Sequence, residues 1–194
     1  MNKDVTNGGN DIYTVYKSFY SVFDEYLLIP LTNINKVIND INKCSGIIMQ
    51  GGDDFLDIHI DIIKYLYERD IPLLAICMSM QAMGVLFNGK LGFIEKHNIN
   101  KKYVHYVNIK HNTLLYDIIK QDKILVNSYH KQYLTKTDLD ISGYSNCIEA
   151  IEDKNKRFFL GLQWHPEKMV EYDNIERKIF DYFKEVCDGI KRVN

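Results

Sequence analysis

The stretch Ile71-Pro72-Leu73-Leu74-Ala75-Ile76-Cys77-Met78-Ser79-Met80-Gln81 decides the fold of this chain. The apolar run at residues 73–76 is typical of a parallel strand that is covered on both faces. After Cys77 the apolar side chains change to helical spacing, and Gly89 is placed to end that helix. The stretch therefore predicts a buried strand that turns into a helix at a cysteine.

A cysteine at such a turn is raised above the edge of the sheet. The backbone N–H groups that follow it, and the positive end of the helix dipole, face the same space and favour a thiolate and an oxyanion. The turn is tight, and Ala75 and Ser79 on either side of Cys77 are small. Taken alone, Cys77 has a simpler interpretation as a buried structural cysteine, because free cysteine packs as a small apolar residue.

The segment Leu160-Gly161-Leu162-Gln163-Trp164-His165-Pro166-Glu167 changes that balance. Its apolar first part predicts a strand, and His165 stands at the end of this strand, where loops carry function. Glu167 can reach back to a ring nitrogen of His165 and fix its tautomer. Cys77, His165 and Glu167 together supply a nucleophile, a base and an orienting carboxylate, which covalent acyl transfer requires.

Four motifs resemble those of the class I glutamine amidotransferase-like superfamily, in the same order along the chain. Residues 75–81 resemble the Gly-x-Cys-x-Gly-x-Gln elbow, with alanine and serine in place of its glycines, and residues 161–167 closely resemble the His-x-Glu motif. Residues 47–54 resemble the strand and Gly-Gly loop that contributes an oxyanion donor. Residues 126–132, Val-Asn-Ser-Tyr-His-Lys-Gln, resemble the Val-Asn-Ser-x-His-x-Gln segment of the gamma-glutamyl-gamma-aminobutyrate hydrolase branch.

The resemblance implies a flavodoxin-like, doubly wound α/β fold, with a mostly parallel sheet and helices on both faces. Alternating periodicities along the chain favour the same class, with catalytic groups at the carboxyl ends of the strands. The patterns predict helices at residues 12–26, 33–42, 55–69 and 174–187, and strands at residues 27–31, 45–50, 103–109, 123–128 and 158–164.

The beginning of the chain differs from the superfamily, whose members open with an apolar first strand. Residues 1–10 are polar and rich in Gly and Asn, so we expect a disordered lead or a turn there. The first strand is then missing, either because the chain begins late or because the fold tolerates its loss. An unpaired sheet edge of this kind predicts aggregation or a homodimer that supplies the missing neighbour.

The resemblance also implies individual roles in the hydrolysis of a γ-glutamyl amide. Cys77 forms a γ-glutamyl thioester, His165 acts as base and then acid, and Glu167 orients it. The oxyanion faces the N–H of Met78 and a backbone N–H at Gly51 or Gly52. The residues expected to hold the glutamyl group of this small-molecule substrate are Gln81, Asn127, Ser128 and His130. No metal and no organic cofactor is implied.

Two other functions stay open at this point. A glutaminase subunit would pass ammonia from glutamine to a synthase, and the sequence leaves no room for a synthase domain, so the synthase would be a separate partner chain. A non-catalytic relative would only bind a metabolite or a protein. The nature of the leaving amine stays open as well.

Composition agrees with one compact domain over residues 1–194, since the 194-residue chain is 46% hydrophobic. A net charge of -2 gives no electrostatic reason to expect nucleic acid as a partner. The four cysteines lack paired short spacing, and His97, His105 and His111 match no ligand motif, so we expect neither a zinc site nor a disulfide framework. A reducing cytoplasm is the simpler location. Without an apolar run of about 18 residues, no membrane span is predicted.

Overall fold

The computed structural model describes residues 2–5, 11–15, 17–23, 25–95 and 97–191. The strands are β1 (Asn2–Val5), β2 (Asp11–Thr14), β3 (Ile47–Met49), β4 (Leu73–Ile76), β5 (Lys90–Phe93), β6 (Asn98–Ile99), β7 (His105–Ile109), β8 (Lys123–Val126), β9 (Ser128–Tyr129), β10 (Gln132–Lys136), β11 (Asp140–Tyr144), β12 (Ile148–Glu152) and β13 (Phe159–Leu162). The α-helices are α1 (Ile34–Ile41), α2 (Asp57–Glu68), α3 (Met78–Leu86), α4 (Leu114–Ile119) and α5 (Asn174–Lys191). Two short 3₁₀ helices cover Lys17–Ser21 and Pro166–Lys168.

The main sheet has the strand order β3-β4-β13-β12-β11-β7-β8, and β10 joins it by pairing with β12 and β5. β4 pairs in parallel with both β3 and β13, whereas the other strands of this sheet pair antiparallel. The predicted α/β class is confirmed. The sheet is mixed rather than mostly parallel, because the strands from β5 to β12 are joined by short connections that allow antiparallel pairing.

The alternation of side chains along β4 creates a core on each face of the sheet. Leu73 and Ala75 point to one face, where they pack with apolar residues of α1, α2 and α3. Leu74 and Ile76 point to the other face, towards α4 and α5. All four side chains are fully buried, which explains the continuous apolar run in the sequence. Helices therefore cover both faces, as predicted.

The packing of α3 on β13 fixes the distance between the two segments that carry the candidate site. A Cβ added to Gly161 would lie only 2.8 Å from Cγ of Met80, so glycine allows this close approach. Among the described helices, none combines the length and the apolar character that crossing a bilayer requires.

The predicted elements before residue 32 are corrected by the structure. Residues 11–14 form a strand paired with residues 2–5, and the helical segment is a short 3₁₀ turn, so the helix predicted at 12–26 is wrong. Its apolar spacing is satisfied by tertiary packing, since Phe19 and Phe23 contact Phe180 edge to face. Residues 27–31 form no strand. The disordered lead is wrong for residues 2–5, and residues 1 and 6–10 lie outside the described part.

Among the described residues, β3 has a strand neighbour on one side only, which is β4. On its other side lies a groove of about 670 Å³ whose wall includes Leu28, Ile29, Ile47 and Met49. This agrees with the expectation that β3 lacks the neighbour that superfamily members provide.

Candidate active site

The predicted elbow is present. Cys77 lies between β4 and α3 with φ 52° and ψ -109°, a backbone conformation that is strained for a residue with a side chain. Two hydrogen bonds hold it, because the N–H of Cys77 donates to the carbonyl of Leu162 at 2.7 Å and its carbonyl accepts from the N–H of Gln81 at 3.0 Å. The turn is thus fixed by β13 on one side and by the first turn of α3 on the other.

The parallel pairing of β13 with β4 brings His165 next to Cys77. Leu162 pairs with Ile76, so both strands end at the same edge of the sheet. Nδ1 of His165 lies 2.6 Å from Oε1 of Glu167, and the two side chains are buried. Because a carboxylate only accepts, Nδ1 carries the hydrogen, and Nε2 is the ring nitrogen left for the cysteine.

Electrostatics at His165 favour the imidazolium. Burial acts to lower the pKa of His165, but the Glu167 carboxylate and the hydrogen-bonded Cys77 sulfur outweigh it and raise the pKa to about 9. His165 is therefore held in its charged form at neutral pH, beside a sulfur that an imidazolium stabilises as thiolate.

Gly51 contacts both partners of this pair. A Cβ at position 51 would lie 2.7 Å from Cε1 of His165 and 3.1 Å from Cβ of Cys77, so only glycine fits without displacing them. The preceding carbonyl, that of Gln50, accepts a hydrogen bond from the Ser79 hydroxyl at 2.8 Å. Ser79 thereby fixes the plane of the peptide that carries the N–H of Gly51. Gly52 follows at an intermediate exposure, and Met78 begins α3 directly after the cysteine.

Asn127 holds the main chain of His165 from both sides. Its Nδ2 donates to the carbonyl of His165 at 2.8 Å, and its Oδ1 accepts from the N–H of His165 at 2.9 Å. The side chain is buried, with 1% exposed. These contacts give Asn127 a positioning role for the base, and its predicted contact with substrate stays a prediction.

The other predicted substrate-side residues are also buried and bonded within the protein. Nε2 of Gln81 donates to the carbonyl of Gln132 at 2.8 Å, and the Ser128 hydroxyl donates to the carbonyl of His97. Nδ1 of His130 donates to the same Gln132 carbonyl at 2.9 Å. Burial lowers the pKa of His130 to about 4. The structure brings these residues to the wall beside the triad, and their contact with a glutamyl group stays a prediction.

The model of the family described as Peptidase C26 matches residues 54–167, which is more than half of the chain. The chain belongs to the Peptidase C26 family. The match includes Cys77, His165 and Glu167.

Similar proteins place the chain in the class I glutamine amidotransferase-like superfamily. A subunit of the glutamine-hydrolyzing GMP synthase of Methanothrix thermoacetophila is 27% identical, over 94% of this chain and 96% of the relative. The glutamine amidotransferase-like protein YvdE of Lactococcus lactis subsp. lactis is 22% identical, over 90% of this chain and 89% of its own. The narrower gamma-glutamyl-gamma-aminobutyrate hydrolase branch stays a prediction.

Solved structures support the fold of this Peptidase C26 member. A GMP synthase subunit from Thermoplasma acidophilum superposes with a TM-score of 0.65 at 21% identity, over 80% of this chain and 78% of that chain. The glutaminase domain of Trypanosoma brucei CTPS, with bound acivicin, gives a TM-score of 0.62 at 17% identity, over 80% and 75%.

Three side chains near the triad of this Peptidase C26 member were not predicted. Nε2 of Gln163 lies 3.6 Å from the Cys77 sulfur, and the Tyr129 ring stands edge-on to His165 with centroids 5.6 Å apart. The Lys168 ammonium lies 3.8 Å above the Tyr129 ring. Gln163 and Lys168 flank the His-Pro-Glu string, and that proximity in sequence was the available signal.

One further group of side chains has the chemistry to hold a metal ion. Atoms of His97, His130, Cys147 and Glu149 all lie within 4.8 Å of one another. The sequence suggested no metal because these ligands come from three separate segments, so no characteristic spacing exists. The fold alone brings them together.

Proposed function

We propose that this protein hydrolyses the amide bond of a γ-glutamyl substrate through a covalent thioester. The observation that carries the proposal is the contact of Cys77, at a strained strand-to-helix turn, with a histidine whose Nδ1 lies 2.6 Å from Glu167. A nucleophile, a base and an orienting carboxylate in this order are the requirement for acyl transfer.

In this mechanism the reactive form is the thiolate–imidazolium pair of Cys77 and His165. The sulfur attacks the γ-carbonyl carbon, and the carbonyl oxygen becomes an oxyanion facing the N–H groups of Met78 and Gly51. His165 passes its Nε2 proton to the leaving nitrogen, the C–N bond breaks and the amine departs. His165 then takes a proton from water, which attacks the thioester and releases glutamate and the thiolate.

The second candidate is a glutaminase chain that supplies ammonia to a separate synthase chain. The observation that favours it is the similarity to GMP synthase subunits of Methanothrix thermoacetophila and Methanocaldococcus jannaschii, which spans nearly the whole length of both chains in each pair. The substrate is then glutamine, the leaving group is ammonia, and the partner is a synthase chain. The chemistry at Cys77 is the same in both cases, so they differ only in the amine and in the partner.

An amine screen separates the candidates. The protein is incubated with glutamine and with a panel of γ-glutamyl amines, and glutamate, ammonia and free amine are measured together, with Cys77→Ala as control. Turnover of a γ-glutamyl amine well above glutamine supports the hydrolase. Glutamine turnover that rises on addition of a synthase chain supports the second candidate.

Absence of Cys77-dependent glutamate from every compound, with no γ-glutamyl adduct on Cys77 by mass spectrometry, would contradict both candidates. It would favour the non-catalytic relative.

A further inference from the structure

A buried cluster of metal-binding side chains lies outside the triad. His97 comes from the loop after β5, His130 from the turn before β10, and Cys147 and Glu149 from the start of β12. Their ligand atoms lie within 4.8 Å of one another. His130 and Cys147 are 4% and 2% exposed, and Glu149 is fully buried.

The free lone pairs of this cluster point inwards. In the part of the chain that the structure describes, Nε2 of His97, Nε2 of His130 and Oε2 of Glu149 are buried and have no hydrogen-bond partner. For His130 the tautomer follows from geometry, because a carbonyl only accepts and Nδ1 must carry the hydrogen that binds Gln132. Its Nε2 is therefore an unprotonated lone pair, and burial of such a group without a partner costs about 1–3 kcal/mol.

A second layer of groups orients the Glu149 carboxylate. Its Oε1 accepts from Nε2 of His105 at 2.9 Å and from the Ser145 hydroxyl at 2.7 Å. Oε2 is left facing the cluster. An outer histidine or hydroxyl on a ligating carboxylate is the usual support of a metal site.

We propose that His97, His130, Cys147 and Glu149 bind a single transition-metal ion of the Zn²⁺ class. Two imidazoles, one thiolate and one carboxylate are a zinc-type donor set, whereas Mg²⁺ and Ca²⁺ prefer oxygen ligands alone. Bond lengths of about 2.0–2.3 Å at a tetrahedral ion place ligand atoms roughly 3.3–3.8 Å apart. The cluster needs to contract by about 1 Å to meet this geometry.

The ion would act on structure rather than on the reaction. Four protein ligands close a tetrahedral site and leave no position for substrate. The ligands join the loop at His97 to the segment at His130, and the neighbouring Tyr129 contacts His165. Metal binding therefore stiffens the wall beside the triad. This inference stands independently of the proposed hydrolysis.

Cobalt spectroscopy tests the site. Metal-stripped protein with the substitution Cys77→Ala, which removes the triad thiol as a competing ligand, is titrated with Co²⁺ and then with Zn²⁺. We expect one Co²⁺ per chain, with the visible bands of a tetrahedral site, a thiolate charge-transfer band, and displacement of both by one equivalent of Zn²⁺. The unsubstituted chain should show the same bands.

Single substitutions assign the ligands. His97→Ala, on a loop, and Cys147→Ser should each weaken Co²⁺ binding by at least about 10-fold, and Cys147→Ser should abolish the charge-transfer band. The matched controls His111→Ala and Cys44→Ala should leave the spectrum unchanged, because His111 pairs with Asp122 on the surface and Cys44 lies far along the chain from the cluster. Circular dichroism checks that each variant is folded.

Two results would overturn the inference. One is a Cys77→Ala protein that takes up no Co²⁺ or Zn²⁺ at one equivalent. The other is a folded His97→Ala protein that binds both ions as tightly as its parent. Since the first uses a chain with the whole cluster intact, the test does not depend on whether cluster variants fold.

Discussion

At the scale of single residues, the reactivity of Cys77 is set by its neighbours rather than by its exposure. Cys77 is buried, whereas Cys44 and Cys187 are more accessible. We nevertheless expect Cys77 to alkylate fastest near neutral pH, because the His165 imidazolium favours its thiolate. Mass spectrometry of peptides after brief iodoacetamide treatment measures this, and Cys77→Ala should abolish turnover with the fold intact. Faster labelling of Cys44, Cys147 or Cys187 in the folded protein contradicts the assignment.

The two partners of the cysteine should differ in the size and the kind of their effect. His165→Ala removes the acid and base, so turnover should fall towards background. Glu167→Gln keeps the shape but removes the charge, so more activity should survive, though about 10²–10⁴-fold is lost. Wild-type turnover by His165→Ala would rule out the triad.

The pH profile gives a second readout for Glu167. Its carboxylate helps to raise the pKa of His165 to about 9, and loss of that proton ends the reactive ion pair. The alkaline limb of kcat/KM should therefore lie near pH 9 and move to lower pH in Glu167→Gln. An alkaline limb that does not move would show that it reports another group.

Ser79 should act on rate rather than on stability. Ser79→Ala loses the hydrogen bond that fixes the peptide before Gly51. Because a misplaced oxyanion donor costs up to about 10²–10³ in rate, we expect kcat to fall about 10-fold or more while KM and the melting temperature change little. An unchanged kcat would remove Gly51 from the oxyanion site.

At the scale of secondary-structure elements, α5 contains a buried carboxyl that makes stability depend on pH. Burial raises the pKa of Glu176 to about 8, and its Oε2 accepts from the Trp164 indole N–H at 3.0 Å. The folded state thus holds a proton that the unfolded chain releases near pH 4.5. Its stabilising effect is complete below that pH and is lost as pH rises to about 8.

The substitution Glu176→Gln tests this. Glutamine keeps an acceptor for Trp164 and has no charge to bury, so Glu176→Gln should be more stable than wild type at pH 8–9, by about 1–3 kcal/mol. The difference should shrink towards pH 5. Urea unfolding at several pH values measures it, and Glu185→Gln on the exposed face of α5 is the matched control. A difference that is constant with pH would contradict the raised pKa.

Sequence patterns predicted the elements that are held by local signals. The helix at 33–42 is confirmed, since Asn33 accepts hydrogen bonds from the N–H groups of Asn35 and Lys36 at its start. The elbow was predictable because strand, cysteine and helix lie together in sequence. The segment at 12–26 was not, because its apolar spacing fits packing on α5 as well as a helix. Long-range pairing also decided what the patterns left open, namely the antiparallel half of the sheet and the meeting of His97 with Cys147 and Glu149.

At the scale of the whole molecule, the exposed side of β3 should govern self-association. Its groove has an apolar wall, and a strand with a free edge pairs readily with another chain. We expect the purified chain to dimerise or aggregate, as judged by light scattering after size exclusion. A charge that faces the groove, such as Leu28→Lys, should reduce the association. A stable, monodisperse and fully active monomer would contradict the expectation.

The absence of a side chain at Gly51 has a consequence for how such a protein can change. A single methyl group at that position would wedge the imidazole away from the sulfur while leaving both cores untouched. One codon change would thus turn a hydrolase into a folded receptor that retains the shape of its substrate pocket. Catalysis and molecular recognition in this scaffold are separated by the width of one carbon atom.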